Sequence, residues 1–147
     1  MGVKVNCELV KKEVVAEGIY KFTVKAPAIA SKAKAGQFLE IKVSKTGAPF
    51  LRRPISIYNI CKEEGLVEFI FQVKGRGTNL LAERKIGDLI DIMGPLGFGG
   101  FKVQEYNNVA IIGGGIGTYP LYELAKELKG KANLNVYLGF RDSSLVT

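Results

Sequence analysis

A pair of arginines followed by a proline and a serine forms the first group of residues that could bind a ligand. In Leu51–Ile57, Arg52 and Arg53 directly precede Pro54, and Ser56 lies two positions further on. A planar guanidinium can donate paired hydrogen bonds to a diphosphate, and a hydroxyl can donate to or accept from a cofactor ring nitrogen. In a strand, Arg53 and Ser56 would face opposite sides, so one ligand contacts both only by wrapping around the strand end. A barrel strand with a solvated arginine pair is the alternative interpretation.

A second candidate site combines two glycines with a threonine. Lys74-Gly-Arg-Gly-Thr78 joins an apolar run to the stretch Thr78–Lys85, which we predict to be helical. Glycines permit close backbone approach, and free N–H groups at a helix start favour an anionic phosphate. A plain strand-to-helix turn with Thr78 as the N-cap is the alternative. Together with Arg53, this segment favours a phosphate site.

A third candidate is the glycine cluster Gly113-Gly-Gly-Ile-Gly117, which follows the apolar run Val109–Ile112 and precedes a helical pattern. This is the context of a loop that binds nucleotide phosphates, although the spacing is not a regular G-x-G-x-x-G. Pro120 is compatible with the start of a helix, where its missing N–H has no partner to lose. A tight turn that only packs strand against helix is the alternative.

The composition excludes several kinds of chemistry. The 147-residue chain has no histidine, so Ser-His-Asp and Cys-His catalysis and histidine-ligated metal sites are excluded. Cys7 and Cys61 are too few for a zinc or iron–sulfur site, so we predict free buried thiols and no metal ligands. The net charge is +7, but the lysines are dispersed, which favours an anionic ligand or acidic partner over nucleic acid. No apolar run approaches the ~18 residues of a membrane span and no signal segment is evident, so we expect a cytoplasmic protein without membrane contact.

The pattern of the first hundred residues predicts antiparallel strands. Polar and apolar residues alternate in Tyr20–Lys25, Leu39–Ser44 and Val67–Lys74, as in half-buried strands. Turn signals such as Thr46-Gly47 separate the runs. Strands at such short spacing indicate a small barrel or sandwich.

After residue 101 the pattern is that of an α/β unit. Val109–Ile112 does not alternate, as expected of a strand buried on both faces. A helix ending at Gly130 then leads to a second strand, Leu134–Leu138. This order predicts the start of a doubly wound parallel sheet. Two strands and one helix bury little surface, so we expect a fragment of a longer protein or a sheet completed by another chain, with a homodimer as one possibility.

Five segments in order resemble the ferredoxin reductase superfamily: Gly36-Gln-Phe38, Leu51–Ile57, Gly75-Arg-Gly-Thr78, Asp91–Gly97 and Gly113–Gly117. More narrowly, they are similar to the electron-transfer subunits of two-subunit, NAD-linked dihydroorotate dehydrogenases. The resemblance covers essentially the whole chain but only the front portion of a typical member. It implies a small antiparallel Greek-key β-barrel that binds FAD, residues 1–100, followed by an incomplete NAD(P)-binding α/β domain, residues 101–147.

The resemblance also implies site residues. Arg53 would contact the FAD diphosphate, Ser56 would lie near the reactive ring, and the glycine cluster would face the nicotinamide nucleotide. Gln72 stands where arginine is common, and Phe98-Gly-Gly100 replaces a more usual Asn-Gly. The cysteines of the family's [2Fe–2S] centre would lie beyond residue 147. The implied FAD contacts are Arg53, Pro54, Ile55, Ser56, Ile70, Phe71, Gln72, Gly77 and Thr78, and the implied nucleotide contacts are Gly113, Gly114, Gly115 and Gly117.

By this resemblance, electrons would pass between an iron–sulfur centre and NAD through FAD, while a separate catalytic subunit oxidises dihydroorotate in pyrimidine biosynthesis. The flavin does the redox work, so no catalytic side chain is predicted. The alternatives are another ferredoxin–NAD(P) reductase-like flavoprotein subunit and a flavin-binding or interaction module without turnover. We expect the 147-residue chain not to be competent alone. Arg141 suits NADP and the adjacent Asp142 suits NAD, so both nucleotides remain open.

Overall fold

The computed structural model describes residues 2–44, 47–99, 101 and 106–146. Three α-helices lie in this part of the chain: α1 (Pro27–Ala30), α2 (Arg76–Ala82) and α3 (Leu121–Leu128). Short 3-10 turns follow at Gly115–Thr118 and Ser143–Leu145. The strands are β1 (Val3–Ala16), β2 (Ile19–Lys25), β3 (Phe38–Ile41), β4 (Arg53–Cys61), β5 (Leu66–Gln72), β6 (Leu89–Leu96), β7 (Asn108–Gly114) and β8 (Asn133–Gly139).

The first six strands close into an antiparallel barrel with the order β1-β2-β5-β4-β3-β6. Strands β3, β4 and β5 are consecutive neighbours, and β6 returns to pair with β3, which is the Greek-key arrangement. The predicted fold class is confirmed for this part of the chain. Residue 100, the predicted domain boundary, lies outside the described residues, as does Thr46 of the predicted Thr46-Gly47 turn.

The barrel core is aromatic where β2 pairs with β5. Phe22, Phe69 and Phe71 are fully buried, and the rings of Phe22 and Phe71 meet edge to face with centroids 5.1 Å apart. Close packing of large side chains gives a rigid wall, because interiors are packed like crystals. The outer surface of β5 is therefore a firm support for any ligand that lies against it.

Strand β1, with 14 residues, is the longest of the described strands, and its pairing is irregular. Its first half pairs with β6 and its second half with β2. Alternation is regular from Val3 to Leu9, and register shifts between Leu9 and Lys11 and between Val14 and Ala16 interrupt it in the second half. Helix α2 differs from prediction: it begins at Arg76 and ends at Ala82 rather than spanning Thr78–Lys85.

An ion pair joins the loop before β4 to β6. The Nη2 atom of Arg52 donates to both carboxylate oxygens of Asp91 at 2.8 Å, and Nη1 donates to the main-chain oxygens of Asp91 and Glu40 at 3.0 and 3.2 Å.

Burial, together with the nearby Asp91 charge, raises the pKa of the Cys7 thiol to about 11. Both cysteines are free, but Cys61 is only half-buried, which corrects the expectation of two buried thiols.

The α/β unit consists of the parallel pair β7–β8 with α3 on one face. Ile111 packs against Leu124 and Leu128 of the helix. On the other face, Ile112 is 78% and Tyr137 59% exposed. The expectation that β7 is buried on both faces is therefore wrong for the described chain, because its residues supply a helix on one side only.

Among the described residues, no helix combines the length and apolar character needed to cross a bilayer.

We predict that Arg52→Ala lowers the free energy of unfolding by about 1–3 kcal/mol, because a half-buried carboxylate and two carbonyls lose their donor. Lys4→Ala is the control, since Lys4 is 63% exposed and 3.7 Å from the same carboxylate. Its effect should stay below about 0.5 kcal/mol. Urea unfolding followed by circular dichroism measures both, and equal losses would contradict a structural role for Arg52.

Candidate functional site

An open cleft of about 370 Å³ lies between the barrel and the α/β unit. Its barrel wall combines Pro54–Ser56 of β4 with Ile70–Gln72 of β5 and Lys74. Its other wall consists of Ile116, Gly117, Tyr119 and Pro120. The fold thus brings the predicted β4 and β5 residues to one surface and places the last glycine of the cluster opposite them.

Strand β4 divides the arginine–proline–serine segment between two faces. Pro54 and Ser56 are exposed towards the cleft, whereas Ile55 packs against the barrel core and Ile57 is buried within it. The Ile57 amide donates to the main-chain oxygen of Gln37 at 3.0 Å, which ties this part of β4 to the neighbouring segment. Arg53 therefore lies on the opposite side of the strand from Ser56, as alternation predicts.

Arg53 packs directly against the first turn of α2. A Cβ atom added to Gly77 would lie 2.6 Å from Nε and 2.8 Å from Nη2 of Arg53, so any side chain at this position would displace the guanidinium. Nη1 donates to the main-chain oxygens of Leu51 and Arg52 at 2.8 and 3.3 Å. Nε and Nη2 of Arg53 have no hydrogen-bond acceptor among the residues that the structure describes. The guanidinium is thus held in place with donors left for a ligand.

Thr78 holds the turn that precedes it. Gly75 is the N-cap of α2, so the interpretation of Thr78 as the N-cap is wrong. The Thr78 hydroxyl accepts from the amides of Lys74 and Gly75 at 2.9 and 3.2 Å and donates to the Gly75 carbonyl at 3.0 Å. The hydroxyl of Thr78 is therefore engaged within the turn. The main-chain amides in the first turn of α2 have no acceptor within the helix, so they can donate to a ligand.

The β5 residues contribute to the cleft in different ways. The Phe71 side chain is buried in the barrel core, so only its main chain can face a ligand. The half-buried Gln72 presents a neutral amide side chain and also lines the neighbouring cleft. In the Phe98–Gly100 segment, Phe98 is exposed, and Gly100 lies outside the described residues.

The glycine cluster serves two purposes. A Cβ atom on Gly113 would lie 2.8 Å from Leu121 Cδ1 and 3.2 Å from Thr118 Cα, so this glycine permits strand and helix to pack. Gly115 has φ +52°, in the left-handed region, and neither it nor Gly117 has any atom within 4 Å of an added Cβ. Gly114 is extended, with only a main-chain oxygen 3.9 Å from such an atom. Space for a ligand therefore exists at the later glycines and not at Gly113.

A second cleft of about 440 Å³ continues from the first past Ile116 and Tyr119. Lys74 and Arg141 bring positive charge to its lining, and Glu17 and Asp142 bring negative charge. The Asp142 carboxylate accepts from the amide and hydroxyl of Ser144, so it also caps the last 3-10 turn.

Sequence reasoning missed the contacts that join the two units. Tyr58 of β4 stacks on Tyr122 of α3, with centroids 4.6 Å apart. Burial and the neighbouring Tyr122 raise the pKa of Tyr58. Glu123 and Lys126 of α3 bond to β4, although both occupy positions that a helical pattern predicts to be solvated. These contacts join residues more than 60 positions apart in the chain, so no local pattern indicated them.

Comparison with known proteins gives consistent relatives. Residues 6–100 match the oxidoreductase FAD-binding domain family. The chain is 43% identical over 141 residues to the "Dihydroorotate dehydrogenase B (NAD(+)), electron transfer subunit" of Bacillus pumilus (strain SAFR-032), covering 94% of this chain and 55% of that protein. The subunit of the same name in Bacillus cereus (strain G9842) is 39% identical, with 97% and 56% covered. The chain thus spans about half the length of these curated relatives.

A solved structure of an NADH-dependent reduced ferredoxin-NADP oxidoreductase is 35% identical, with a TM-score of 0.87, and the match covers all of this chain and 53% of that one. The family match covers the barrel, and the solved structure covers both the barrel and the α/β unit that follows it. The chain therefore belongs to the oxidoreductase FAD-binding domain family, within the ferredoxin reductase superfamily.

Proposed function

We propose that the chain binds FAD across β4, with the diphosphate at Arg53 and α2 and the flavin ring in the cleft beside Ser56. The observation that carries this proposal is the contact between Arg53 and Gly77. It places guanidinium donors that have no partner among the described residues beside a helix start, at the strand whose other face lines the cleft. A dinucleotide that wraps the end of β4 would contact both.

Arg53 and the first turn of α2 would bind the diphosphate together. The guanidinium supplies charge-assisted donors, and the amides of Arg76 and Gly77 point out of the helix start without internal acceptors. Thr78 would keep this turn in shape through its three hydrogen bonds. Because the donors are already oriented by the fold, little ordering is needed on binding.

The cleft would hold the ring system. The exposed Ser56 hydroxyl is free to donate to or accept from a ring nitrogen, while Pro54, Ile55 and Ile70 offer apolar contact. Phe71 contributes its main chain, and Gln72 adds an amide without charge. When bound, FAD supplies one- and two-electron chemistry that no side chain in this cleft provides. The protein's part is to bind and orient it.

The glycine cluster and the second cleft would receive a nicotinamide nucleotide. Gly114, Gly115 and Gly117 leave room for one, and Gly113 allows β7 to pack against α3 behind them. In doubly wound folds such a nucleotide lies across the carboxyl ends of several strands. The described unit has two parallel strands, so we propose that this chain alone oxidises NADH slowly.

The names of the curated relatives support a place in a dihydroorotate dehydrogenase of the NAD-linked type. There the chain would form the flavin-bearing part of the electron-transfer subunit, linking an iron–sulfur centre to NAD and working with a separate catalytic subunit. A ferredoxin–NAD(P) reductase-like role is the second candidate, favoured by the 35% identity to the solved oxidoreductase. In an electron-transfer subunit that holds the iron–sulfur centre, rapid reduction of bound FAD by a dihydroorotate-reduced catalytic subunit supports the first role, and rapid reduction by reduced ferredoxin supports the second.

We predict that the flavin-free chain binds FAD more tightly than FMN, and that Arg53→Ala weakens FAD binding about 10- to 150-fold, because a charge-assisted contact is lost. Lys62→Ala is the matched control: it removes one exposed positive charge in the turn after β4. Titration followed by flavin absorbance gives the dissociation constants. Equal losses in the two variants would show that Arg53 acts only through net charge, and no binding by the wild type would overturn the proposed function.

We predict that Gly77→Ala reduces FAD affinity about 10-fold while leaving the fold intact, because the new methyl displaces the Arg53 guanidinium and alanine favours a helix. Gly75→Ala is the control, since an added Cβ there meets nothing within 4 Å. Circular dichroism tests the fold and the same titration tests affinity. An unchanged dissociation constant for Gly77→Ala would contradict the placement of the diphosphate.

A further inference from the structure

We propose that Glu123 is a positioning residue whose buried carboxylate fixes α3 against β4 and thereby sets the width of the cleft. Its consequence for the flavin rests on the proposed function, whereas the contact between helix and strand does not. The proposal is supported by a buried charge, a hydrogen-bond network and a bulge in β4.

Glu123 is buried to 5% exposure and contacts β4, whereas Leu124 and Leu128 of the same helix pack against Ile111 of β7. Its Oε2 atom accepts from the Ile60 amide at 2.9 Å and lies 2.8 Å from Nζ of Lys126. Burial of a carboxylate costs free energy unless it is paired, and burial of the Ile60 amide without an acceptor would cost free energy as well. The pair of contacts therefore specifies one arrangement of helix on strand.

Lys126 extends the contact into the barrel. Its Nζ atom donates to Oδ1 of Asn59 at 2.6 Å and to the Ile60 carbonyl at 3.0 Å. Asn59 in turn donates to Oε2 of Glu68 at 3.0 Å, and Oε1 of Glu68 accepts from the Thr23 hydroxyl at 3.0 Å. A continuous network thus joins α3 to β4, β5 and β2, and networks of this kind hold groups in a single geometry.

The bulge in β4 presents the residues that α3 contacts. The register of β4 against β5 shifts between Ile57 and Asn59, so Tyr58 is the extra residue. Its ring stacks on Tyr122 and meets Tyr119 edge to face at 6.2 Å. Bulges next to binding sites re-aim side chains in this way. The strand that lines the cleft therefore also carries the surface on which α3 is fixed.

The helix determines where the opposite wall of the cleft lies. Pro120 directly precedes Leu121, the first residue of α3, and Gly117, Tyr119 and Pro120 face Ser56 across the cleft. Any shift of α3 would move this wall. A misplacement of the reacting groups near 1 Å can cost ~100-fold in rate. The contacts of Glu123 would therefore control how a flavin ring and a nicotinamide ring meet in this cleft.

Amide hydrogen exchange of the full chain tests the contact itself. In Glu123→Ala the Ile60 amide has no acceptor, so we expect undocking of α3 to be about 10-fold more populated, equivalent to about 1.4 kcal/mol. Amides of α3 and Ile60 should then exchange about 10-fold faster, with β2 and β5 unchanged. Glu123→Gln keeps an acceptor and should restore most of the protection.

Glu127→Ala is the matched control, because it makes the same charge change one turn later, where the carboxylate makes a long 3.5 Å contact to the Ala35 amide. Its α3 exchange should stay at the wild-type rate. If Glu123→Ala does not fold, Lys126→Ala removes the same ion pair from the exposed side and should speed α3 exchange several-fold. Wild-type exchange in the Glu123 and Lys126 variants, or equal effects in Glu127→Ala, would overturn the proposal.

Flavin fluorescence lifetimes of the FAD-loaded chain test the positioning role. Tyr119 lines the cleft, and a tyrosine ring close to a flavin quenches its fluorescence. Molecules with α3 undocked should therefore contribute a long-lived fluorescence component. Its amplitude should be about 10-fold larger in Glu123→Ala, in line with the expected increase in amide exchange rate, and should return close to the wild-type value in Glu123→Gln. Faster exchange without this change would show that Glu123 holds the helix but does not set the cleft. A wild type that does not bind FAD would refute the proposed function, and the exchange result would still stand.

Discussion

Strand β4 must serve three neighbours at once, and the rest of the site depends on this constraint. Its edges pair with β3 and β5 to close the barrel. Its outward residues Pro54 and Ser56 line the cleft, and its bulge at Tyr58 receives α3. The binding surface and the docking surface are therefore parts of one strand, which a closed barrel holds rigidly on both edges.

Adjacent arginines illustrate how the strand assigns roles. Arg52 is engaged by Asp91 and two main-chain oxygens, so its charge is used to hold the barrel together. Arg53, one residue later, lies against Gly77 with donors to spare. The two arginines have the same side chain, so their different roles follow from their positions in the fold and not from their chemistry. It depends on which carboxylate or helix start lies nearest, and therefore on the closed barrel.

The sequence predicted the features that follow from local pattern. Alternation in Tyr20–Lys25 and Val67–Lys74 indicated barrel strands, and the order β-loop-α-β indicated the parallel pair. The packing of Gly113 against Leu121 agrees with the alternative interpretation of the glycine cluster as a tight strand–helix turn. Two features depend on contacts between distant residues and were not predictable from local pattern: the bulge at Tyr58 and the docking of Glu123 on β4. A helical pattern places Glu123 among solvated residues because it does not contain the partner strand.

The most direct test of FAD binding at this cleft is amide chemical-shift mapping of the isotope-labelled chain during titration with FAD. We expect the large shifts to cluster at the amides of Arg53, Ile55 and Ser56, at Ile70–Gln72 and in the first turn of α2, with smaller changes at Gly117. The distant turn at Gly65, between β4 and β5, should remain unchanged. Shifts confined to the second cleft around Arg141, or the absence of saturable shifts, would contradict the assignment of β4 as the strand that carries the flavin.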